Sequence, residues 1–344
     1  MKDIKFGNII IGDDKPVVII AEIACQHGGS MEMAKRLVDA AKDSGADIAK
    51  FQLHVPDAEM VPNSIHFWGG SMDEILEKSK FNSYEEHKEI KEYCEQVGIQ
   101  YLCTPFSKEA SDILERVGVD AYKTGSGELT NLPMLRHMAK KGKAMIVSTG
   151  MSKMEEIDDV VAVLKEEGVP FVLTHCLSEY PPKYAHMNLS LIKELSDKYG
   201  IFVGLSDHSV EIYSAIAAIA IGAKVIEKHF TISDVKGPDD VVSLKPEQFK
   251  IMVDAIRKIE DAMGGDKVVS EEEQKVRDWA HHSAIALVDI QEGEEISLKN
   301  TCAKRPGTGI SARYLDPLYS DKLFGKKAKK ELKRNTILQW DDLS

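Results

Sequence analysis

Eight short apolar runs, separated by stretches of helical periodicity, constrain this chain more than any other feature. They lie at residues 17–24, 48–54, 99–106, 121–126, 144–150, 171–178, 201–208 and 224–230. Each is rich in β-branched residues and nearly continuously apolar at its start, as a strand buried on both faces must be. Helical patterns at 31–42, 83–96, 108–116, 153–167 and 211–221 fall between them. Several end at glycine (Gly45, Gly98, Gly118, Gly168, Gly222), which helix C-termini favour. Eight strand–helix units over about 250 residues is the arithmetic of a (β/α)8 TIM barrel. An open doubly wound sheet is the competing fold. The absence of G-x-G-x-x-G after the first run counts against it.

Two places break the rhythm. Residues 55–82 separate the second strand from its helix and contain Pro56, Pro62, Trp68, Gly69 and Gly70, a candidate lid. After a last barrel helix at 246–263, Gly264-Gly265 and a charged stretch from Glu271 to Lys275 read as a linker helix. From His281 onward the pattern turns to short strands and turns. The expected organisation is a barrel domain at 1–264, a linker at 265–280 and a small module at 281–344. A module of about 64 residues has a marginal core, so it is expected to dock on a barrel, in cis or in trans.

Charge fits that picture. The net charge is 44 − 56 = −12, yet residues 299–334 carry 11 Lys/Arg against 3 Asp/Glu, leaving −20 elsewhere. The basic segment lacks a nucleic-acid motif, and the acidic body would repel phosphate backbones, so no nucleic acid is expected. With 43% hydrophobic and 29% charged residues the chain is globular. No membrane span is expected, because the most apolar stretch, 212–226, is short and broken by Tyr213, Ser214 and Lys224. Five cysteines without C-x-x-C, and no apolar signal core after Met1, point to a cytoplasmic protein.

A barrel presents its catalytic groups at the C-terminal ends of its strands. Those ends supply Glu22 with Gln26 and His27; Lys50 and Gln52; Thr104; Lys123, Ser126 and Glu128; Ser148 and Thr149; His175, Ser178 and Tyr180; Asp207 and His208; Glu227 and His229. Any one of them has a structural explanation, but polar groups at all eight ends are hard to attribute to packing. His208 and His229 end neighbouring strands, where two imidazoles can converge on one divalent cation. Lys50 and Lys123, with Thr104, Ser126 and Ser148, suit a small dianion such as a phosphate ester. Glu22 and Glu128 become proton carriers if burial raises their pKa values.

At these residues the sequence resembles the sialic acid synthases over nearly its whole length. The marks are Glu22-Ile23, His27, Gly29-Ser30, Lys50-Phe51-Gln52, Thr104-Pro105-Phe106, the run from Tyr122 to Glu128, and Ser148-Thr149-Gly150-Met151. They continue with His175-Cys176, Tyr180-Pro181, Gly204 to His208, Glu227 to Thr231, Gly237-Pro238-Asp239 and Lys304-Arg305-Pro306-Gly307. The resemblance implies condensation of phosphoenolpyruvate with an N-acetylated hexose to a nine-carbon 2-keto acid and phosphate. It implies Mn²⁺, or Mg²⁺ or Co²⁺, held by His208 and His229. Lys50, Thr104, Lys123, Ser126 and Ser148 would bind phosphoenolpyruvate, while Glu22 and Glu128 manage protons and the attacking water. Gln52, Tyr180 and Arg305 would face the sugar. The C-terminal module would be antifreeze-like (SAF, β-clip), delivering Arg305 to the partner's barrel in a domain-swapped homodimer.

Two positions depart from the family pattern: Gln26 replaces an Asn before His27, and Ser178 replaces an Asn beside the sugar. N-Acetylmannosamine is the default acceptor, and a di-N-acetylated 6-deoxy sugar, giving legionaminate, is the alternative. A pseudaminate synthase is less favoured because Gly125-Ser126-Gly127-Glu128 follows the sialate-type pattern. Rival classes are a Schiff-base aldolase using Lys123 or Lys50, and a non-enzymatic ice- or sugar-binding protein.

Overall fold

A computed structural model describes the chain except for residues 63, 66–70, 72–80, 236 and 238. Most of the expected lid, including Trp68, Gly69 and Gly70, therefore lies outside the described residues, as does Pro238. The chain divides into two compact units, Met1–Gly264 and Gly265–Ser344.

The first unit opens with a hairpin, β1 (Ile4–Phe6) and β2 (Ile9–Ile11). Eight parallel strands follow: β3 (Val18–Ala24), β4 (Ile48–Leu53), β5 (Gln100–Pro105), β6 (Ala121–Thr124), β7 (Ala144–Ser148), β8 (Phe171–Cys176), β9 (Val203–Asp207) and β10 (Val225–His229). They hydrogen-bond in the order β5-β4-β3-β10-β9-β8-β7-β6. The two end strands, β5 and β6, lie side by side, so the sheet curls into a nearly closed barrel. All eight fall inside the runs read from the sequence.

Helices cover the outside: α1 (Met31–Asp43), the short α2 (Pro56–Glu59), α3 (Tyr84–Val97), α4 (Lys108–Val117), α5 (Leu132–Ala139), α6 (Met154–Glu167), α7 (Leu191–Tyr199), α8 (Tyr213–Ile221) and α9 (Pro246–Met263). Local chemistry sets their ends. Ser30, Ser83 and Ser107 accept from backbone N–H groups of the first turns of α1, α3 and α4, and Glu86 closes a capping box with Ser83. Gly98, Gly118, Gly168 and Gly222 cap their helices in the left-handed conformation, whereas α1 ends on Ser44, one residue before Gly45.

Alternation along the strands sorts the core into two clusters. Ile19, Ala21, Ile23, Ala49, Phe51, Tyr101, Val147 and Leu173 face the helices. Val18, Ile20, Ile48, Leu102, Ala121, Ala144, Ile146, Val172 and Val225 fill the barrel. Ile4, Phe6 and Ile11 of the hairpin join that inner cluster and plug the end where the strands begin. Continuing each inward series toward the C-terminal end replaces aliphatic residues with polar ones. Each buried aliphatic side chain in the lower layers contributes about 1.5–3 kcal/mol, so these layers are the rigid floor of the mouth above.

The second unit begins with α10 (Glu271–Ala280), capped by Ser270. Two antiparallel strands, β11 (Ser283–Ala286) and β12 (Thr301–Lys304), follow, with isolated bridges such as Ile285–Ile337 and Ile290–Leu332. Ala284, Ile290, Ile296, Ile310, Leu332 and Leu338 belong to its small core. Among the described residues no helix is long and apolar enough to cross a membrane.

Candidate active site

The inward series end in one buried cluster at the C-terminal mouth. Lys50 Nζ forms an ion pair with Glu22 Oε2 at 2.5 Å and donates to Thr104 Oγ1 at 3.1 Å. Glu227 Oε2 sits 3.7 Å from both Lys50 Nζ and Lys123 Nζ, while Oε1 accepts from Ser206 Oγ at 2.8 Å. Lys123 also donates to the Thr124 carbonyl at 2.8 Å.

These groups are close enough to set one another's charge. Burial pushes the Glu22 carboxyl up to about 7, with Lys50 opposing and Glu227 reinforcing the shift. For Glu227, burial is outweighed by Lys123 and Lys50, and its carboxyl falls to about 2. Burial and the neighbouring Lys50 keep Lys123 below the ordinary lysine range despite Glu227. Lys50 is the opposite case: Glu22 and Glu227 overcome its burial and raise it. One carboxylate thus stays charged while another, a few ångströms away, is ready to exchange a proton near neutrality.

Beside the lysines, Ser126 Oγ and Ser148 Oγ are 2.8 Å apart, and Ser126 Oγ is 3.5 Å from Cys176 Sγ. A Cβ on Gly150 would come within 2.5 Å of the Ser126 and Ser178 hydroxyls, so only glycine lets that loop close on them. A Cβ on Gly125 would meet Glu128 Oε2 at 2.4 Å, so a side chain there would make the flexible end of Glu128 move. That oxygen is buried without a hydrogen-bond partner, and burial, reinforced by Glu59, pushes the Glu128 carboxyl up to about 7.

His208 and His229 close the far side, their ring centroids 5.3 Å apart. Tyr180 lies over His208 at 4.0 Å and edge-on to His229 at 6.3 Å. His208 Nδ1 is 2.9 Å from the Leu177 carbonyl. His229 Nδ1 is buried without a hydrogen-bond partner, 3.8 Å from Asp239 Oδ2. Two imidazoles with an orphaned nitrogen and a carboxylate nearby fit one divalent ion. Among the described residues no preformed set of three or more His, Cys, Asp or Glu ligands exists, so further ligands would come from substrate or water.

Of the twelve residues singled out for the site, Glu22, Lys50, Gln52, Thr104, Lys123, Ser126, Glu128, Ser148, Tyr180, His208 and His229 lie at this mouth. Arg305 lies in the second unit, its guanidinium 5.1 Å over the Trp279 ring. Glu227, at the centre of the cluster, was visible at a strand end but had been given no role. Cys176 and Ser206 stand in the sequence only within the family motifs, without a role in the site, although both lie in step with inward neighbours. The converse holds for two strand-end candidates. Asp207 faces outward and is bound by Lys228 at 2.7 Å, and His175 Nε2 contacts the Met187 carbonyl at 2.6 Å. Each is one residue out of step with the inward series.

Lysines, hydroxyls, carboxylates and paired imidazoles converging at the mouth of a (β/α)8 barrel define a TIM-barrel enzyme. The NeuB family model matches residues 37–268, and an SAF domain matches 281–344. The chain belongs to the NeuB family, which bears out the resemblance to sialic acid synthases and replaces the aldolase and ice-binding readings. An uncharacterized protein of Methanocaldococcus jannaschii is 40% identical over 346 residues, covering 100% of this chain and 99% of its own. The N,N'-diacetyllegionaminic acid synthase of Campylobacter jejuni is 37% identical over 338 residues (94% and 99%). The pseudaminic acid synthase of that bacterium is 38% identical over 340 residues (96% and 97%). A crystal structure of N-acetylneuraminic acid (sialic acid) synthetase from Leptospira borgpetersenii superposes with a TM-score of 0.72 at 33% identity, covering 80% of this chain and 95% of that one.

Proposed function

We propose that this enzyme condenses phosphoenolpyruvate with N-acetylmannosamine or a related N-acetylated hexose, giving a nine-carbon nonulosonic acid and phosphate. The observation that carries the reading is that two buried lysines, Lys50 and Lys123, the Ser126 and Ser148 hydroxyls and two carboxyls raised to about 7 gather at one barrel mouth. Lys50, Thr104, Lys123, Ser126 and Ser148 hold the carboxylate and phosphate of phosphoenolpyruvate. Gln52 and Tyr180 face the sugar, and Arg305 is supplied by a second copy of the chain in a domain-swapped homodimer working in the cytoplasm.

His208 and His229 would hold a divalent ion, Mn²⁺ by preference, which when bound polarises the sugar aldehyde. The methylene carbon of phosphoenolpyruvate bonds to the aldehyde carbon as its double bond opens, and the aldehyde oxygen takes the proton held by one of the two raised carboxyls, Glu22 or Glu128. Water then adds to the resulting oxocarbenium-like carbon, giving its proton to Glu22 or Glu128. The adduct collapses by carbon–oxygen cleavage to the 2-keto acid and phosphate.

A di-N-acetylated 6-deoxy acceptor, giving legionaminate, is the second reading. Ser178 at the sugar side and the likeness to the Campylobacter legionaminic acid synthase support it, although the pseudaminic acid synthase is as similar. Phosphate release across a panel of acetamido sugars with Mn²⁺ tests the reading, and no release with any of them refutes it. Bridging ¹⁸O should leave with phosphate; label retained in the keto acid means attack at phosphorus instead.

A further inference from the structure

A line of polar contacts runs outward from Glu22 through Gln52 to Cys25, His54 and Glu59, three residues without a role in the reading above. Gln52 Nε2 donates to Glu22 Oε1 at 3.0 Å. The other end of that amide, Oε1, faces His54 Nε2 at 3.3 Å and accepts a weak contact from Cys25 Sγ at 3.6 Å. His54 Nδ1 is 2.8 Å from Glu59 Oε2 at the end of α2, and its ring stacks on Phe106 at 4.2 Å, 11° from parallel. His54 and Glu59 are both largely shielded from solvent.

Proton counting fixes the polarity of this line. Glu59 accepts at Nδ1, so a neutral His54 would offer a bare Nε2 and draw the NH₂ of Gln52 toward itself. The Gln52 carbonyl would then face Glu22, an arrangement that only a protonated carboxyl tolerates. A doubly protonated His54 instead donates from Nε2 to Gln52 Oε1 and frees the NH₂ for Glu22. Burial opposes that charge, but the contacts with Cys25 and Glu59 outweigh it and push the ring up to about 9. The other titratable groups that sense the ring are Glu128 and His87, the latter on α3.

We propose that His54, charged and anchored by Glu59, is a positioning residue that locks the Gln52 amide with its NH₂ toward Glu22 and so favours the anionic form of Glu22. This rests on the proposed roles of Gln52 and Glu22, and the test separates the two.

The first readout needs no turnover. In ¹⁵N-histidine-labelled protein, with the His54 signals identified by their loss in His54→Phe, both ring nitrogens should carry protons at about pH 7.5, and Glu59→Gln should make the ring neutral. The ¹³Cδ titration of Glu22 should move up by about one pH unit in both variants. The second readout is the pH dependence of kcat/KM. Its acid limb should move up with Glu22, with roughly tenfold loss near pH 6.5 and recovery toward the wild-type rate near pH 9. A neutral His54 in the wild type, an unmoved Glu22 titration, or a loss equal at every pH overturns the proposal. If the wild type uses no acetamido sugar, the functional reading fails while the two titrations still decide the role of His54.

Discussion

Glu128 joins the mouth from a one-turn 3₁₀ segment, Ser126–Glu128, with its Oε2 packed where a side chain on Gly125 would otherwise lie. Its native carboxyl is raised to about 7 from an ordinary 4.5, so the folded protein binds a proton that the unfolded chain has released. The sign follows: stability falls as pH rises through that window, by up to about 3 kcal/mol from this group. Glu128→Gln should remove that fall, so urea unfolding at about pH 5 and pH 8 should give a smaller difference than in the wild type. An unchanged difference would mean that Glu128 is solvated. At the imidazole pair, His208→Ala or His229→Ala should each weaken Mn²⁺ binding by about 10–100-fold or more while far-ultraviolet dichroism stays unchanged. Full Mn²⁺ affinity in either variant, measured by calorimetry, would remove the pair as ligands.

Along β10 the alternation of the strand separates two chemistries. Glu227 and His229 face the mouth, whereas Lys228 between them is fully buried on the helix side. There it binds Asp207, which also accepts from the Ser209 and Ser214 hydroxyls. Lys228→Met should therefore destabilise the fold by about 3–5 kcal/mol, read as a lower urea midpoint, because it strands a buried carboxylate. The same logic of tight fit applies to the loop after β7. Gly150→Ala would press a methyl against the Ser126 and Ser178 hydroxyls. It should raise KM for phosphoenolpyruvate about tenfold, roughly 1.4 kcal/mol, with a smaller effect on kcat.

At the scale of the whole molecule, the basic segment at 299–334 and the acidic remainder have the opposite charges that the proposed homodimer would use. Within its own unit, Arg305 is presented over Trp279, and Gly307 N donates to the Asp278 carbonyl at 2.7 Å, fixing the loop to the end of α10. If Arg305 serves the partner's barrel, inactive Arg305→Ala and Lys123→Ala proteins should complement when subunits exchange. Roughly a quarter of the sites would recover, since about half the dimers are mixed and each mixed dimer has one intact site. No recovery after demonstrated exchange would place Arg305 in cis or outside the site.

The barrel was legible because its strands are buried on both faces, and such segments must be apolar throughout whatever their neighbours are. The boundaries of α9 were legible too, set by Pro246 and the glycines after Met263. Strands as short as β1 and β2 show no periodicity, and the plug they form becomes visible only once Ile4, Phe6 and Ile11 are seen inside the barrel. Polar residues at strand ends marked the mouth, but Asp207 and Glu227 look alike in a sequence. Register decides which one faces inward, since a single residue reverses the side chain. The charge states of Glu22 and Glu227 were beyond sequence altogether. They are one residue type with opposite shifts, and the difference is set by which ammoniums lie within a few ångströms in the folded barrel.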